Sequence, residues 1–84
     1  MVKEETWSLS IGRVRAFFRA QDDVTEENGD CYVFRSCYIR LTELEPRRLG
    51  SLPIQRLKLR LEGGDADVET IYHRFFIQFL SAGG

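Results

Sequence analysis

The sequence predicts an α+β fold: a small antiparallel sheet of three or four strands with a C-terminal amphipathic helix packed on one face. Two observations carry this prediction. Apolar and polar residues alternate along several segments, as they do in strands with one buried face. Towards the C-terminus the apolar spacing changes to the i, i+3, i+4, i+7 period of a helix. The expected element order is β-β-β-α.

Length and composition indicate one domain, residues 1–84, with an ordinary globular balance of 43% hydrophobic and 30% charged residues. The net charge of −1 argues against a dedicated nucleic-acid binder, which usually carries a basic excess. No apolar run is long enough to cross a membrane, so we expect a soluble cytoplasmic protein with no membrane partner. Residues 1–5 are charged and are expected to be disordered.

The first strand begins at Trp7, where apolar residues alternate with serines up to Ile11. The alternation then slips by one residue, and a bulge at Gly12-Arg13 would explain the slip. We favour a bulged strand that continues to about residue 20. The alternative for residues 11–20 is a short helix that begins at Ser10 and has one apolar side, formed by Ile11, Val14, Phe17 and Phe18.

Residues 22–30 are acidic and contain Asn28-Gly29, a strong hairpin signal because both residues accept positive φ. They are expected to form either the tip of a hairpin or a mobile acidic loop. Residues 31–44 are expected to form the next strand. A connection containing Pro46, Gly50 and Pro53 follows it.

The strand at 31–44 is the most informative segment because both of its faces would be largely apolar. A chain this short readily covers one face, so the other is predicted to bind a partner. We therefore expect a non-enzymatic protein–protein interaction, adaptor or regulatory module that forms a homodimer or binds another protein. The residues predicted to form its partner-binding face are Tyr32, Phe34, Arg35, Tyr38 and Arg40.

The following strand alternates three leucines with the basic residues Arg56, Lys58 and Arg60. A basic sheet face beside aromatic residues can bind single-stranded nucleic acid, and this is an alternative function. The interpretation we favour is a solvated strand face, because the chain as a whole is not basic.

The last element is predicted to be a helix over residues 67–82, capped by Asp65 or Asp67. Ile77 would lie on its polar side. The apolar stripe consists of Val68, Ile71, Tyr72, Phe75, Phe76, Phe79 and Leu80.

Few residues could carry chemistry, so no enzyme activity, cofactor or metal site is predicted. His73 is the only histidine, which excludes a histidine-based metal cluster within one chain. Cys37 and His73 are the only candidates for a nucleophile–base pair, and nothing in their spacing requires it. Gly63-Gly64 lacks the length and the lysine of a phosphate-binding loop. Cys31 and Cys37 on one strand would be about 20 Å apart, too far for a disulfide.

The C-terminal residues Phe79-Leu80-Ser81-Ala82-Gly83-Gly84 resemble the tail of ubiquitin-like sulfur carriers. In that family the terminal Gly-Gly follows the last strand and its carboxylate is adenylated and thiolated. The resemblance implies Gly84 as the activated residue, and a carrier is a further alternative function. The rest of the chain departs from the family pattern, because here a helix runs into the tail. We favour a helix C-cap at Gly83.

Overall fold

The computed structural model describes residues 1–80 as a five-stranded antiparallel sheet with two helices, in the strand order β1-β5-β4-β3-β2. The α+β class is confirmed, while the expected three or four strands and single helix become five strands and two helices. Neither helix in this range is long and apolar enough to cross a membrane. The elements are β1 (Val2–Trp7), α1 (Ile11–Arg19), β2 (Val24–Asn28), β3 (Cys31–Phe34), β4 (Cys37–Leu49), β5 (Leu52–Glu62) and α2 (Asp65–Leu80).

Both helices pack on the same face of the sheet and build one aromatic core between them. The Phe18 ring of α1 stacks on Phe75 of α2 at 6.1 Å and on Tyr32 of β3 at 5.4 Å. Such aromatic pairs add to the stability gained from apolar burial. The buried core residues are Leu9, Val14, Phe18, Tyr32, Phe34, Cys37, Ile39, Leu41, Leu57, Leu59, Leu61, Val68, Ile71, Phe75 and Phe79.

The N-terminus is a strand, so the expectation that residues 1–5 are disordered is wrong. Strand β1 pairs antiparallel with β5 along its whole length. Its charged side chains all have partners. Lys3 lies over the Tyr72 ring at 4.2 Å, and Glu4 is 3.1 Å from Arg60. Glu5 accepts a hydrogen bond from the Tyr72 hydroxyl at 2.7 Å. This charged edge strand is ordered because the side chains on each of its two faces contact charged or aromatic partners.

Residues 11–19 form helix α1, so the favoured bulged strand is wrong and the helical alternative is right. The Ser10 side chain caps the helix by accepting a hydrogen bond from the Arg13 N–H at 3.2 Å. Val14 and Phe18, four positions apart, are buried. The slip in alternation at Gly12 therefore marks a change from strand to helix period and not a bulge.

The acidic segment at 22–30 is ordered. Residues 24–28 form the edge strand β2, which pairs with β3 across a turn at Gly29-Asp30, so a hairpin forms here. The acids are held by arginines: Arg19 bonds both carboxylate oxygens of Glu26 at 2.9 and 3.0 Å, and Arg74 does the same for Asp23. These bidentate pairs lower the pKa of both carboxyl groups, because hydrogen bonds from arginine favour the ionised form.

The central apolar stretch is two strands and not one. A two-residue turn at Arg35-Ser36 joins β3 to β4, and Phe34 pairs directly with Cys37. Directly paired residues of an antiparallel ladder share a face. The turn therefore places Tyr32 and Phe34 on the same face as the apolar residues of β4. The prediction of a strand with two apolar faces is wrong, because the chain reverses direction in the middle of the stretch.

The Arg35-Ser36 turn is held by Asp67 in the first turn of α2. Its Oδ2 accepts hydrogen bonds from the Ser36 N–H at 3.2 Å and the Ser36 hydroxyl at 2.6 Å. The Ser36 hydroxyl oxygen in turn accepts a bond from the Gly64 N–H at 3.2 Å. The bonds from Ser36 keep the pKa of Asp67 below its ordinary value. One carboxylate thus connects the turn to the start of the last helix.

Strands β4 and β5 continue far beyond the rest of the sheet. Strand β3 pairs with β4 only as far as Arg40, and β1 pairs with β5 only from Leu57 onwards. Residues 43–56 therefore form a two-stranded ribbon, called the arm from here on, with its turn at Gly50-Ser51. The expected connection around Pro46, Gly50 and Pro53 is wrong, because these residues belong to two paired strands and their turn. At about 3.3 Å per residue, the thirteen residues of β4 account for the longest dimension of the molecule, 42 Å.

Helix α2 begins at Asp65, two residues before the predicted start, and is described to Leu80. The predicted end at residue 82, the Gly83 cap and the Gly83-Gly84 tail lie outside the described residues. Val68, Ile71, Phe75 and Phe79 are buried, as the helical period predicts. Ile77 is 60% exposed, also as predicted.

Gly63 is required where β5 passes the β3–β4 turn. A Cβ at this position would collide with the backbone oxygen of Ser36 and lie 2.8 Å from the Cα of Cys37. The first belongs to the turn that Asp67 holds and the second to the buried start of β4, so neither backbone atom can easily move. We expect Gly63→Ala to lower the free energy of unfolding by about 2 kcal/mol or more, measured by urea denaturation followed by circular dichroism.

Gly12→Ala is the matched control, because the nearest atom to its added Cβ is 3.9 Å away. Within helix α1 this change should be neutral or stabilising by up to about 1 kcal/mol. Equal stabilities of the two variants would contradict the close approach at Gly63.

The Tyr72–Glu5 hydrogen bond makes stability sensitive to high pH. Burial, with the adjacent Glu5 carboxylate, raises the pKa of Tyr72 to about 12, whereas an unfolded tyrosine titrates near about 10. Between these values the unfolded chain loses the proton and the folded chain keeps it, so stability falls as pH rises from about 10 to 12. In Tyr72→Phe this part of the loss should disappear. Urea midpoints at pH 9 and 11.5 test it, and an equal fall in both proteins would contradict the assignment.

Candidate binding surface

The face of the sheet opposite the helices, called the open face, has no covering element among residues 1–80. One row across it joins Glu4 of β1, Arg60 of β5, Arg40 of β4 and Cys31 of β3. A second row contains Glu62 and Tyr38. Beside the β3–β4 turn this face carries a half-open hollow of about 700 Å³. Its lining includes Tyr38, Arg40, Arg60 and Glu62, which is a mixed polar and apolar surface.

The predicted partner-binding residues are divided among three places. Tyr32 and Phe34 are completely buried in the core, so their assignment to a partner surface is wrong. Tyr38 is 59% exposed on the open face, where it shares the surface with the exposed Arg40. Arg35 lies in the turn, with its guanidinium 3.7 Å from Asp67 and over the Phe34 ring at 4.7 Å. Only Tyr38 and Arg40 remain as a predicted pair on one accessible surface.

The predicted basic set, Arg56, Lys58 and Arg60, does share the open face, because all three occupy alternate positions of β5. Much of its charge is neutralised, however. Arg60 lies 3.1 Å from Glu4 and 3.0 Å from Glu62, and these partners raise its pKa. Lys58 lies 4.0 Å from Glu4. A continuous cationic track for phosphates is therefore interrupted by carboxylates.

The arm carries an apolar surface that the sequence interpretation missed. On β4 a bulge between Leu44 and Arg47 inserts one extra residue, while β5 continues without a slip. The alternation of β5 therefore places Leu52 and Ile54 on the open face together with Lys58. Their ladder partners share that face. The resulting surface consists of Leu44, Arg47, Leu49, Leu52, Ile54 and Arg56.

The aliphatic side chains of this surface are accessible. Leu49 is 62% exposed and Leu52 is 69% exposed, the largest fraction among the exposed large hydrophobic residues. Leu44 and Ile54 are partly exposed. The prolines and the glycine of this segment suggested a loop, which hid the pattern. A signal was present in β5, where apolar residues occupy even positions at 52 and 54 but odd positions from 57 to 61.

Several arginines on and near the arm have no carboxylate partner within 4 Å among residues 1–80. They are Arg40, Arg47, Arg48 and Arg56. Arg56 donates a hydrogen bond to the backbone oxygen of Glu45 at 3.3 Å. Elsewhere among residues 1–80 most arginines are paired, for example Arg15 with Asp30 at 2.6 Å. Of these unpaired arginines, Arg47 and Arg56 lie on the same face of the arm as the exposed aliphatic groups.

The candidate nucleophile and base are not arranged as a pair. Cys37 is buried in the core, its thiol donates to the Tyr38 backbone oxygen at 3.7 Å, and burial raises its pKa. His73 is exposed on α2. Both cysteines are free thiols, with Cys31 on the open face and Cys37 on the core face. Within residues 1–80 no group of three or more His, Cys, Asp or Glu residues could hold a metal ion.

Comparison with known proteins finds no matching family model and no matching curated protein. The surface must therefore be interpreted from its own geometry and chemistry.

The division of the predicted aromatic set predicts opposite effects for two tyrosines. Tyr32→Ala should lower the free energy of unfolding by about 3–4 kcal/mol, because it empties a fully buried site against Phe18. Tyr38→Ala should change it by no more than about 0.5 kcal/mol, because the ring is largely solvated. Urea denaturation of both variants checks this. Comparable losses would contradict the turn at Arg35-Ser36 and restore the single-strand interpretation.

Proposed function

We propose that this protein is a small non-enzymatic interaction module that binds a protein partner through the open face of its sheet, extended by the arm. The observation that carries the proposal is the reversal of the apolar face along β5. In the sheet its leucines point towards the helices, and in the arm Leu52 and Ile54 point the opposite way. The apolar side of the arm therefore lies where neither helix of the protein can cover it.

The length and isolation of the arm support a macromolecular partner. A two-stranded ribbon with no flanking strand is only marginally stable in water, and it presents Leu49 and Leu52 at its tip. Burying these side chains against a partner removes apolar surface from water and also supports the ribbon. An interaction site that lies outside the folded core in this way can bind without rearranging that core.

The composition of the surface supports a protein over a nucleic acid. Exposed aliphatic groups flanked by arginine are typical of protein interfaces, in which arginine and tyrosine supply directional contacts. Tyr38 and Arg40 continue the arm surface onto the sheet. Binding to single strands relies instead on stacked aromatic rings over an uninterrupted positive groove. Here the charge of Arg60 is offset by Glu4 and Glu62.

The double variant Leu49→Ser/Leu52→Ser tests the proposal. Both side chains are more than 60% exposed, so the free energy of unfolding should change by no more than about 0.5–1 kcal/mol. Association should be lost. Light scattering across a range of concentrations measures self-association, and quantitative affinity capture from an extract of the source organism measures binding to other proteins.

Ile77→Ser is the matched control, because Ile77 is a comparably exposed aliphatic residue on the helix layer, away from the arm. Binding that survives in the control and disappears in the tip variant supports the proposal. If the wild type and the tip variant have the same solution mass and capture the same proteins, the arm is not the binding surface.

A further inference from the structure

We infer that the arm accepts an acidic amphipathic helix of another protein across its open face. This inference rests on the proposed function and names the chemistry of the partner. The first observation is the sign of the charges. The charged residues that strand pairing places on the open face of the arm are both arginines, Arg47 and Arg56, and Arg40 adds a third on the adjoining part of the sheet. None lies within 4 Å of a carboxylate in residues 1–80.

The absence of partners is not a consequence of composition, since the chain has thirteen acidic and twelve basic residues. Elsewhere among residues 1–80 most arginines are paired with carboxylates, as in Arg19–Glu26 and Arg74–Asp23. The arm itself contains two acids: Glu43 is paired with Leu57 and therefore faces the helix side, and Glu45 lies in the bulge of β4. Unpaired arginines are thus concentrated on the arm, and two of them, Arg47 and Arg56, lie on the surface that carries the exposed aliphatic groups. Charge complementarity calls for Asp and Glu on the partner.

A second copy of the chain fits this surface poorly. If two arms packed open face to open face, Arg47 and Arg56 of each would approach the same residues of the other. Like charges brought together in a desolvated interface oppose association. A nucleic acid would satisfy the arginines but would leave the leucines and Ile54 with no apolar contact, and the arm has no exposed aromatic ring on which bases could stack.

The form of the partner follows from the two prolines. Pro46 lies in β4 and Pro53 in β5, so each edge of the arm lacks one backbone N–H. Prolines at an edge oppose the addition of a further strand. The partner must therefore lie across the face, and helices are the elements that cover the other face of this sheet. From Leu44 to Leu49 the arm spans about 15 Å, which about ten residues of α-helix match.

Selection from a displayed library of random 16-residue peptides on the full chain tests this inference. Peptides enriched on the wild type should carry net negative charge and aliphatic residues at helical spacing. A synthetic peptide of the most enriched sequence should gain helical circular dichroism on binding. Its affinity, measured by fluorescence anisotropy, should fall about tenfold in Arg47→Glu, because one favourable charge contact becomes repulsive.

Arg48→Glu is the matched control. Arg48 is the neighbouring residue of the same strand, is also exposed and has no carboxylate within 4 Å in residues 1–80, but it pairs with Pro53 and faces the other way. The affinity of the Arg48→Glu variant for the same peptide should stay within about twofold of the wild-type value. Equal losses of peptide affinity in the two variants would show a general charge effect and would contradict the open face of the arm as the docking surface.

Other results would also overturn the inference. They are no enrichment, enrichment of neutral or basic peptides, tighter binding of a single-stranded oligonucleotide than of the selected peptide, and a dimer that Leu49→Ser/Leu52→Ser dissociates.

Failure of the proposed function is recognised separately. Enriched peptides that are not acidic but still require Leu49 and Leu52 contradict only the partner chemistry. Peptides that bind the tip variant as well as the wild type contradict the binding surface itself.

Discussion

The hydrogen bonds between Asp67 and the Arg35-Ser36 turn are the contacts on which the arrangement of the sheet depends. Arg35 adopts a φ of 54°, which costs a residue with a Cβ about 1–2 kcal/mol. The sequence at the turn contains no glycine or asparagine to relieve that cost. The Asp67 carboxylate offsets it with two hydrogen bonds from Ser36. Because Asp67 lies at the start of α2, where the helix dipole favours an acid, the same group stabilises both elements.

The turn decides where the apolar residues go. By reversing the chain after Phe34 it gives the helices a single apolar sheet face to cover, with Tyr32 paired opposite Ile39. All of the buried residues then belong to one cluster. A chain without this turn would have to cover two apolar faces with the same two helices, which a domain of this size could not do.

The limited length of the two helices also explains why the arm has no covering element. Helices α1 and α2 span nine and sixteen residues, enough to cover the part of the sheet in which β4 and β5 have neighbours. Beyond Glu43 and Leu57 neither strand has a third partner. A segment with few buried contacts has low local stability and is suited to binding. The protein thus separates a core that determines the fold from a ribbon whose apolar groups neither helix covers.

Local sequence patterns alone determined the fold class and much of the secondary structure of this protein. Side-chain spacing predicts the α+β class, the strand with Leu57, Leu59 and Leu61, and helix α2. Strands and helices have different periods, and in each element the apolar residues repeat with the period that places them on one buried face. Ser10 and the spacing of Val14 and Phe18 also contained the signal for α1, although alternation at Trp7 and Leu9 outweighed it. On the candidate binding surface, the alternation of β5 predicted that Arg56, Lys58 and Arg60 share a face, and they do.

Only the tertiary structure decided the turn, the role of the central aromatic residues and the arm. Arg35-Ser36 has no intrinsic turn preference, and its conformation depends on Asp67, which lies 31 residues away from Ser36 in sequence. A two-residue reversal changes which residues share a face, so Tyr32 and Phe34 could not be assigned from local alternation. Pro46, Gly50 and Pro53 suggest a loop when taken locally, yet pairing of β4 with β5 extends them into a ribbon. Long-range contacts select one face or one turn from several that local preferences allow.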